Sequence, residues 1–181
     1  MTKATDEQIL GLIREGGPDR ERGYRLLLEC YQQRLYWHIR RIVVSHEDAE
    51  DTLQECLVNI CRAIGSFRGQ SSLYTWMFRI ATNESLRLLR DRHGGNTPFE
   101  EVRTKLAGQL WHETGPTSEE ILVRFQEAVL QLPARQRVVF NLRYYEEMPY
   151  EQMAEVLEST VENMKTNYHY AAKKIKELMT K

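Results

Sequence analysis

Residues 149–178 read PYEQMAEVLESTVENMKTNYHYAAKKIKEL. Met148-Pro149 introduces a short helix carrying Met153, Ala154 and Leu157, and Glu158-Ser159 makes a tight turn. Thr160 can cap a longer helix whose core side is Met164, Tyr168, Ala171, Ile175 and Leu178. A short helix, a turn and a longer helix form the helix-turn-helix pattern, whose second helix enters the DNA major groove. At about 100° per residue, the opposite face of that helix holds Glu162, Thr166, His169 and Lys173, flanked by Lys165, Asn167 and Tyr170. Such side chains can meet phosphates and base edges. A solvated face on a small bundle is the alternative that the pattern leaves open.

Upstream, Ile121, Leu122, Phe125, Val129 and Leu132 make an amphipathic stripe starting near Thr117 or Ser118. Pro133 suits the first turn of the next helix, with Val138, Val139, Leu142 and Tyr145. Before this block, residues 93–117 read as the end of one unit and a linker, with a short helix around 99–110 and an unexplained Trp111. The chain therefore predicts an all-α fold of two small helical domains, 1–95 and 118–181, joined by a linker at 96–117, the second containing the helix-turn-helix.

The first block reads as four helices. Thr5 caps a helix with Ile9, Leu12 and Ile13, which Gly16-Gly17-Pro18 ends. A long helix follows with Tyr24, Leu28, Tyr31, Leu35, Ile39 and Ile42 on one face. A third, from about Glu47 to Ile64, turns Ala49, Leu53, Leu57, Ile60 and Ile64 inward. A fourth starts near Ser72 and carries Leu73, Trp76, Met77, Ile80 and Leu88. No alternating strand pattern occurs.

Charge is uneven along the chain, although the net charge is only −1. Residues 46–58 hold Glu47, Asp48, Glu50, Asp51 and Glu55 without Lys or Arg. Residues 62–92 and 165–181 are each basic. One acidic and two basic segments suggest more than one charged partner. The stretch FRGQSSLYTWMFRIATNESLRLLR, 67–90, interleaves Phe67, Tyr74, Trp76 and Phe78 with Arg68, Arg79, Arg87 and Arg90. Arginines pair with phosphates and aromatic faces stack on unpaired bases, so the loop and helix could hold a base flipped from the stack. Core packing is the alternative for most of these aromatics.

Other chemistries find little support. The longest stretch free of Asp, Glu, Lys and Arg is Gly69–Phe78, ten residues, against the roughly 18 that a membrane span needs. No signal core opens the chain, and a cytoplasmic protein without membrane insertion is expected. Cys30, Cys56 and Cys61 form no CxxC pair and read as buried reduced thiols. The acidic run 46–55 fits helix capping, a docking surface or, more weakly, a metal site with His46. No phosphate loop, nucleophile elbow or zinc-ligand spacing occurs. His38, His93 and His112 read as structural or exposed. The chain is expected to be no enzyme, with no catalytic residue, metal or cofactor.

At Ile9–Arg92 and Glu119–Leu178 the sequence resembles bacterial sigma factors of the extracytoplasmic-function (ECF) group. DAEDTLQECL resembles the family's polymerase-binding helix, and FRGQSSLYTWMFRIATN resembles its promoter-melting segment. LPARQRVVFNLRYYEEMPYEQMAEVL and STVENMKTNYHYAAKKIKEL resemble its region four. The resemblance implies a factor that binds core RNA polymerase and directs promoter recognition, melting and initiation. It implies core-polymerase contacts at Asp48, Glu50, Asp51, Leu53 and Gln54. It implies minus-ten DNA contacts at Phe67, Arg68, Gln70, Ser71, Ser72, Tyr74, Trp76, Arg79 and Asn83. For the minus-thirty-five element it implies Lys165, Thr166, Asn167, His169, Tyr170 and Lys173, with Arg137, Tyr150 and Glu151 holding the backbone or orienting the helix. Implied partners are core polymerase, promoter DNA as duplex and as melted strand, and an anti-sigma factor.

Three residues depart from the family pattern. Glu158 stands where Gly is usual in the turn. A left-handed conformation would cost Glu of order 1 kcal/mol, which predicts a different turn. Asn167 and Tyr170 stand where basic residues are common, which implies a different promoter sequence. The competing functions are a helix-turn-helix regulator that binds duplex DNA without polymerase, and a helical adaptor that binds only protein.

Overall fold

A computed structural model describes residues 4–92 and 118–180, and every regular element among them is helical. The linker reading, the short helix at 99–110, His93, Trp111 and His112 lie outside the described residues. The N-terminal half comprises α1 (Asp6–Glu15), α2 (Gly17–Val43), α3 (His46–Ala63), a 3₁₀ turn (Ile64–Ser66) and α4 (Leu73–Asp91). The C-terminal half comprises α5 (Ser118–Leu130), α6 (Ala134–Tyr144), α7 (Tyr150–Val156) and α8 (Val161–Met179).

Local chemistry accounts for the boundaries. Thr5 forms a capping box with Gln8 at the start of α1. Ser45, Ser72 and Thr160 accept backbone N–H groups at the starts of α3, α4 and α8. Gly16 and Gly17 both take positive φ, 83° and 58°, and Pro18 starts α2. Gly23 is needed for close packing: an added Cβ would lie 2.7 Å from the Ile13 side chain and 3.0 Å from its backbone nitrogen. The turn between α7 and α8 corrects the expectation drawn from Glu158. Its φ is 47°, so Glu takes the left-handed conformation that Gly would take more easily. The turn is retained because Ser159 N–H donates to Ala154 O at 2.9 Å and Thr160 caps α8 just beyond it.

In the N-terminal half α1, α3 and α4 each pack on α2, and α3 packs on α4. The inward stripes are largely as read: Ile9, Leu35, Ile39, Ile42, Ile60, Leu73, Met77 and Phe78 are fully buried or nearly so. The buried cluster runs on without a break into Val138, Val139, Leu142, Met148, Met153, Val156 and Met164 of the C-terminal half. There α6 lies against α2 and α7 against α4. A second, smaller cluster joins Ala128, Val129, Leu132, Phe140, Ala171 and Ile175. Ile121 and Leu122, read as part of the core stripe, are exposed. The inner face of α5 is instead carried by Phe125, Ala128 and Val129. The cysteine reading holds for Cys56, whose thiol is pushed up to about 12 by burial and then by Glu84. Cys30 is half-buried, and Cys61 is exposed because it lies on the solvent side of α3.

Candidate protein and nucleic-acid interfaces

Three surfaces collect the residues that the sequence singles out. The first is a groove between α2 and α3. Leu28, Gln32, Tyr36 and Trp37 line it from α2, and Glu50, Leu53, Gln54 and Leu57 from α3. Trp37 is 47% exposed beside it, with its ring edge-on to Tyr36 at 5.3 Å. A half-exposed Trp at a groove rimmed by carboxylates suits a protein partner with an apolar and basic surface. Of the docking residues read from sequence, Glu50, Leu53 and Gln54 are here, although Leu53 is largely buried. Asp51 is exposed outside the lining. Asp48 is buried and ion-paired with both terminal nitrogens of Arg92, tying the start of α3 to the end of α4. It cannot face the groove from there. Leu28 and Trp37 are groove residues that sequence reasoning missed. Leu28 was placed in the core stripe, whereas Trp37 falls off that stripe and was detectable for that reason.

The second surface is a pocket between the 64–72 segment and α4. The loop is held by Arg14, which donates to Phe67 O at 3.0 Å, and is turned by Gly69 at φ 73°. The Phe67 ring is buried against Trp76 with centroids 5.1 Å apart. Around this floor stand Arg68, Gln70, Ser71 and Arg79. Neither Arg68 nor Arg79 forms an ion pair with any described residue. An aromatic floor with two uncommitted guanidiniums can stack a base and pair with phosphates. Ser72 serves this site indirectly, as the cap that starts α4: its Oγ accepts from Thr75 N at 3.1 Å. Asn83 is exposed further along α4 and is not brought to the pocket. Tyr74 points elsewhere. Its ring packs on Phe78 at 4.3 Å and its hydroxyl donates to Glu146 at 3.0 Å. Burial, followed by the Glu146 carboxylate, pushes that phenol above its ordinary range.

The third surface is the outer face of α8. Lys165, Thr166, His169, Tyr170 and Lys173 are all exposed along it, as the helical geometry predicts. Asn167 is half-buried, and its Nδ2 donates back to Asn163 O at 2.8 Å. Glu151 is exposed on α7, and Tyr150 packs edge-on to Tyr168 with Arg143 over its ring at 5.0 Å. Arg137 is the correction. It is buried, and it donates to Leu130 O at 3.3 Å and to Ile42 O at 3.0 Å. Burial holds its guanidinium below the ordinary value. Its partner is the C-terminus of α2, where carbonyls lack intrahelical donors. Asn141 does the same for Arg41 O at 3.4 Å.

Arg137 and Asn141 belong to a polar joint between the two halves that the sequence did not reveal. Glu146, just after α6, pairs with Arg34 at 3.1 Å and with Arg41 at 3.3 Å, and it accepts from Tyr74. Its side chain is only 8% exposed. No periodicity marks it. The adjacent Glu147 takes φ 51°, and Val44 at the end of α2 takes φ 71°, an outlier for a β-branched residue.

The C-terminal half thus carries a helix-turn-helix with an open polar face. The N-terminal half carries a carboxylate-rimmed groove and a pocket with an aromatic floor and two arginines. The family model for sigma-70 region 2 matches residues 27–94, and that for sigma-70 region 4 matches residues 122–175. The RNA polymerase sigma-H factor of Pseudomonas aeruginosa is 28% identical over 186 residues, covering 97% of this chain and 94% of its own. The ECF RNA polymerase sigma-E factor of Escherichia coli K12 is 27% identical over 181 residues, covering 94% and 92%. Among solved structures, CnrH in complex with the cytosolic domain of CnrY matches with a TM-score of 0.71 at 20% identity, covering 97% of each chain. The sigma factor RpoE of Bartonella quintana, solved with the anti-sigma factor NepR, matches with a TM-score of 0.66 at 23% identity over 87% of this chain and 96% of its own. The chain belongs to the sigma-70 family of RNA polymerase sigma factors, in its ECF group.

Proposed function

We propose that this sigma factor docks on core RNA polymerase through the α2–α3 groove, with Trp37, Glu50, Leu53 and Gln54 as contacts. The pocket of Phe67, Arg68, Gln70, Ser71, Trp76 and Arg79 takes the melted minus-ten strand. Lys165, Thr166, His169, Tyr170 and Lys173 meet the minus-thirty-five duplex. The domain limits that go with this reading are 1–95 and 118–181. The observation that carries it is the pocket: the Phe67–Trp76 floor, 5.1 Å between centroids, ringed by two arginines that no described carboxylate neutralises. The protein works by binding, in the compartment of the polymerase and promoters, the cytoplasm. Among the described residues no helix is long and apolar enough to cross a membrane.

The two solved neighbours are structures of complexes with anti-sigma factors, NepR and CnrY. We assign the surface for such a partner to the groove between the halves, where Tyr36, Trp37 and Arg40 face Gln126, Leu130 and Tyr145.

The test is run-off transcription with core polymerase and a promoter library. Transcripts that need both proteins, and that fall about fivefold or more for Trp76→Ala, are expected, since each stacked base is worth about 1–3 kcal/mol. Tight, salt-steep binding of duplex by the free protein without initiation would instead indicate a polymerase-independent regulator.

A further inference from the structure

A cavity of about 640 Å³ is bounded by the end of α2, the start of α3, α5 and α6. Its volume lies within the range of about 300–1,000 Å³ usual for small-molecule sites. Tyr36, Trp37 and Tyr145 give the wall aromatic rings, and Val129 and Leu130 give it aliphatic surface. Arg40 and Arg41 bring guanidiniums and His46 an imidazole, and no described Asp or Glu lines it.

The basic groups differ in how far they are engaged. Arg41 donates to Glu146 at 3.3 Å and lies 4.0 Å over the ring of Tyr145. His46 Nδ1 is 2.8 Å from the Tyr36 hydroxyl, and its Nε2 is 3.5 Å from Glu50. The half-buried Arg40 side chain forms no hydrogen bond, ion pair or ring contact with any described residue. An uncommitted guanidinium in a wall without carboxylates favours an anion, phosphate above all.

A second observation is independent of charge. Asn141 lines the same cavity and is only 1% exposed. Its Nδ2 donates to Arg41 O at 3.4 Å, whereas its Oδ1 has no hydrogen-bond partner among the described residues. Buried carboxamide oxygens are nearly always satisfied, so a bare one at a cavity wall marks a missing donor. Val44, also in the wall, holds its φ of 71°, and such outliers concentrate at ligand sites.

Aromatic wall, missing donor and free guanidinium together define a flat ring that bears N–H groups and is tethered to an anion. We propose that this cavity binds a nucleoside monophosphate, with the base against Trp37, a base N–H directed to Asn141 Oδ1 and the phosphate on Arg40. The site shares no lining residue with the minus-ten pocket. It overlaps the surface assigned above to an anti-sigma partner without depending on that assignment. A bound nucleotide would compete with a protein there, which would make promoter selection responsive to nucleotide supply.

Isothermal titration calorimetry on the full-length protein tests this with AMP, GMP, CMP and UMP, and with adenosine and inorganic phosphate as part-ligands. At least one monophosphate should bind saturably at one site per chain, with adenosine and phosphate each about tenfold weaker or more. Arg40→Gln should weaken that monophosphate about tenfold or more. Trp37→Ala should weaken it about fivefold or more. Arg40 has no described side-chain partner and Trp37 is half-exposed, so both variants should keep the wild-type thermal midpoint. Arg79→Gln, in the minus-ten pocket, should bind the nucleotide as the wild type does. Absence of saturable binding by all four nucleotides would overturn the proposal. So would phosphate binding as tightly as the nucleotides, which would make the cavity a plain anion site. Loss of binding in Arg79→Gln but not in Arg40→Gln would place the nucleotide in the minus-ten pocket and sink the proposal equally. None of these outcomes bears on run-off transcription, which tests the minus-ten reading separately.

Discussion

The two halves of this protein bury their cores in different ways. The N-terminal half wraps α1, α3 and α4 around the long α2, and its fully buried residues face one another. The C-terminal half divides its apolar residues. Val138, Val139, Leu142, Met153 and Met164 join the cluster of the N-terminal half, leaving Val129, Leu132, Phe140, Ala171 and Ile175 as a smaller cluster of its own. The helix-turn-helix therefore depends on its neighbour for part of its burial. Separating the halves would therefore expose apolar surface as well as break the Glu146 joint.

The largest effect expected from breaking this asymmetry is at Leu142, which is fully buried where the halves share a core. Leu142→Ala should cost about 2–5 kcal/mol and lower the urea midpoint of both halves. Ile175→Val, in the smaller cluster, should cost only about 0.5–1.5 kcal/mol and leave the N-terminal transition in place. If Leu142→Ala spared the N-terminal half, the core would not be shared.

Next comes pH. His38 is buried, with Nε2 at 2.8 Å from Thr82 Oγ1, and burial followed by the charge of Arg41 holds it down to about 3 against an ordinary 6.5. The unfolded chain takes up this proton first, so the contribution is fully present above pH 6.5 and is lost as pH falls towards 3. At about 1.4 kcal/mol per unit, the loss approaches about 2 kcal/mol by pH 5. Denaturation curves of wild type and His38→Gln at both pH values check this. The variant should lose the corresponding slope, and the loss should fall on the N-terminal half.

A smaller effect is expected at Glu158. Glu158→Gly relieves the left-handed backbone and should stabilise the C-terminal half by about 1 kcal/mol, read as a higher thermal midpoint. An unchanged or lower midpoint would mean that the carboxylate contributes more than the strain removes. The smallest is a slope rather than a stability. Lys165→Ala or Lys173→Ala should each lower the salt dependence of minus-thirty-five duplex binding by the holoenzyme by about one unit, across sequences alike. A change confined to one promoter sequence would instead assign that lysine to base reading.

The candidate sites were legible where a local rule applied. The exposed face of α8 follows from helical periodicity and the Met164/Ala171/Ile175 stripe opposite it, and every lysine named there is exposed. The Phe67–Asn83 segment announced itself by interleaved aromatics and arginines, and six of its nine named residues line one pocket. Tyr74, Asp48 and Arg137 were misread for a common reason. Each has the residue type of a binding group, and each is bound to a partner far along the chain: Glu146, Arg92 and the end of α2. Composition cannot tell a side chain offered to a ligand from one already satisfied.

The sequence by itself determined the helices, their caps and breaks, and the order of the two family regions, because these depend on neighbours within a few residues. It also determined that charge is segregated along the chain. Only the tertiary structure decided that Glu146 joins α2 and α4 to the C-terminal half, and that Glu155 and Glu158 line the same pocket as Phe67 and Trp76. The pairing of residues 34 and 146, and the shared pocket of residues 76 and 158, arise from how two apolar faces dock, and no local pattern encodes that docking.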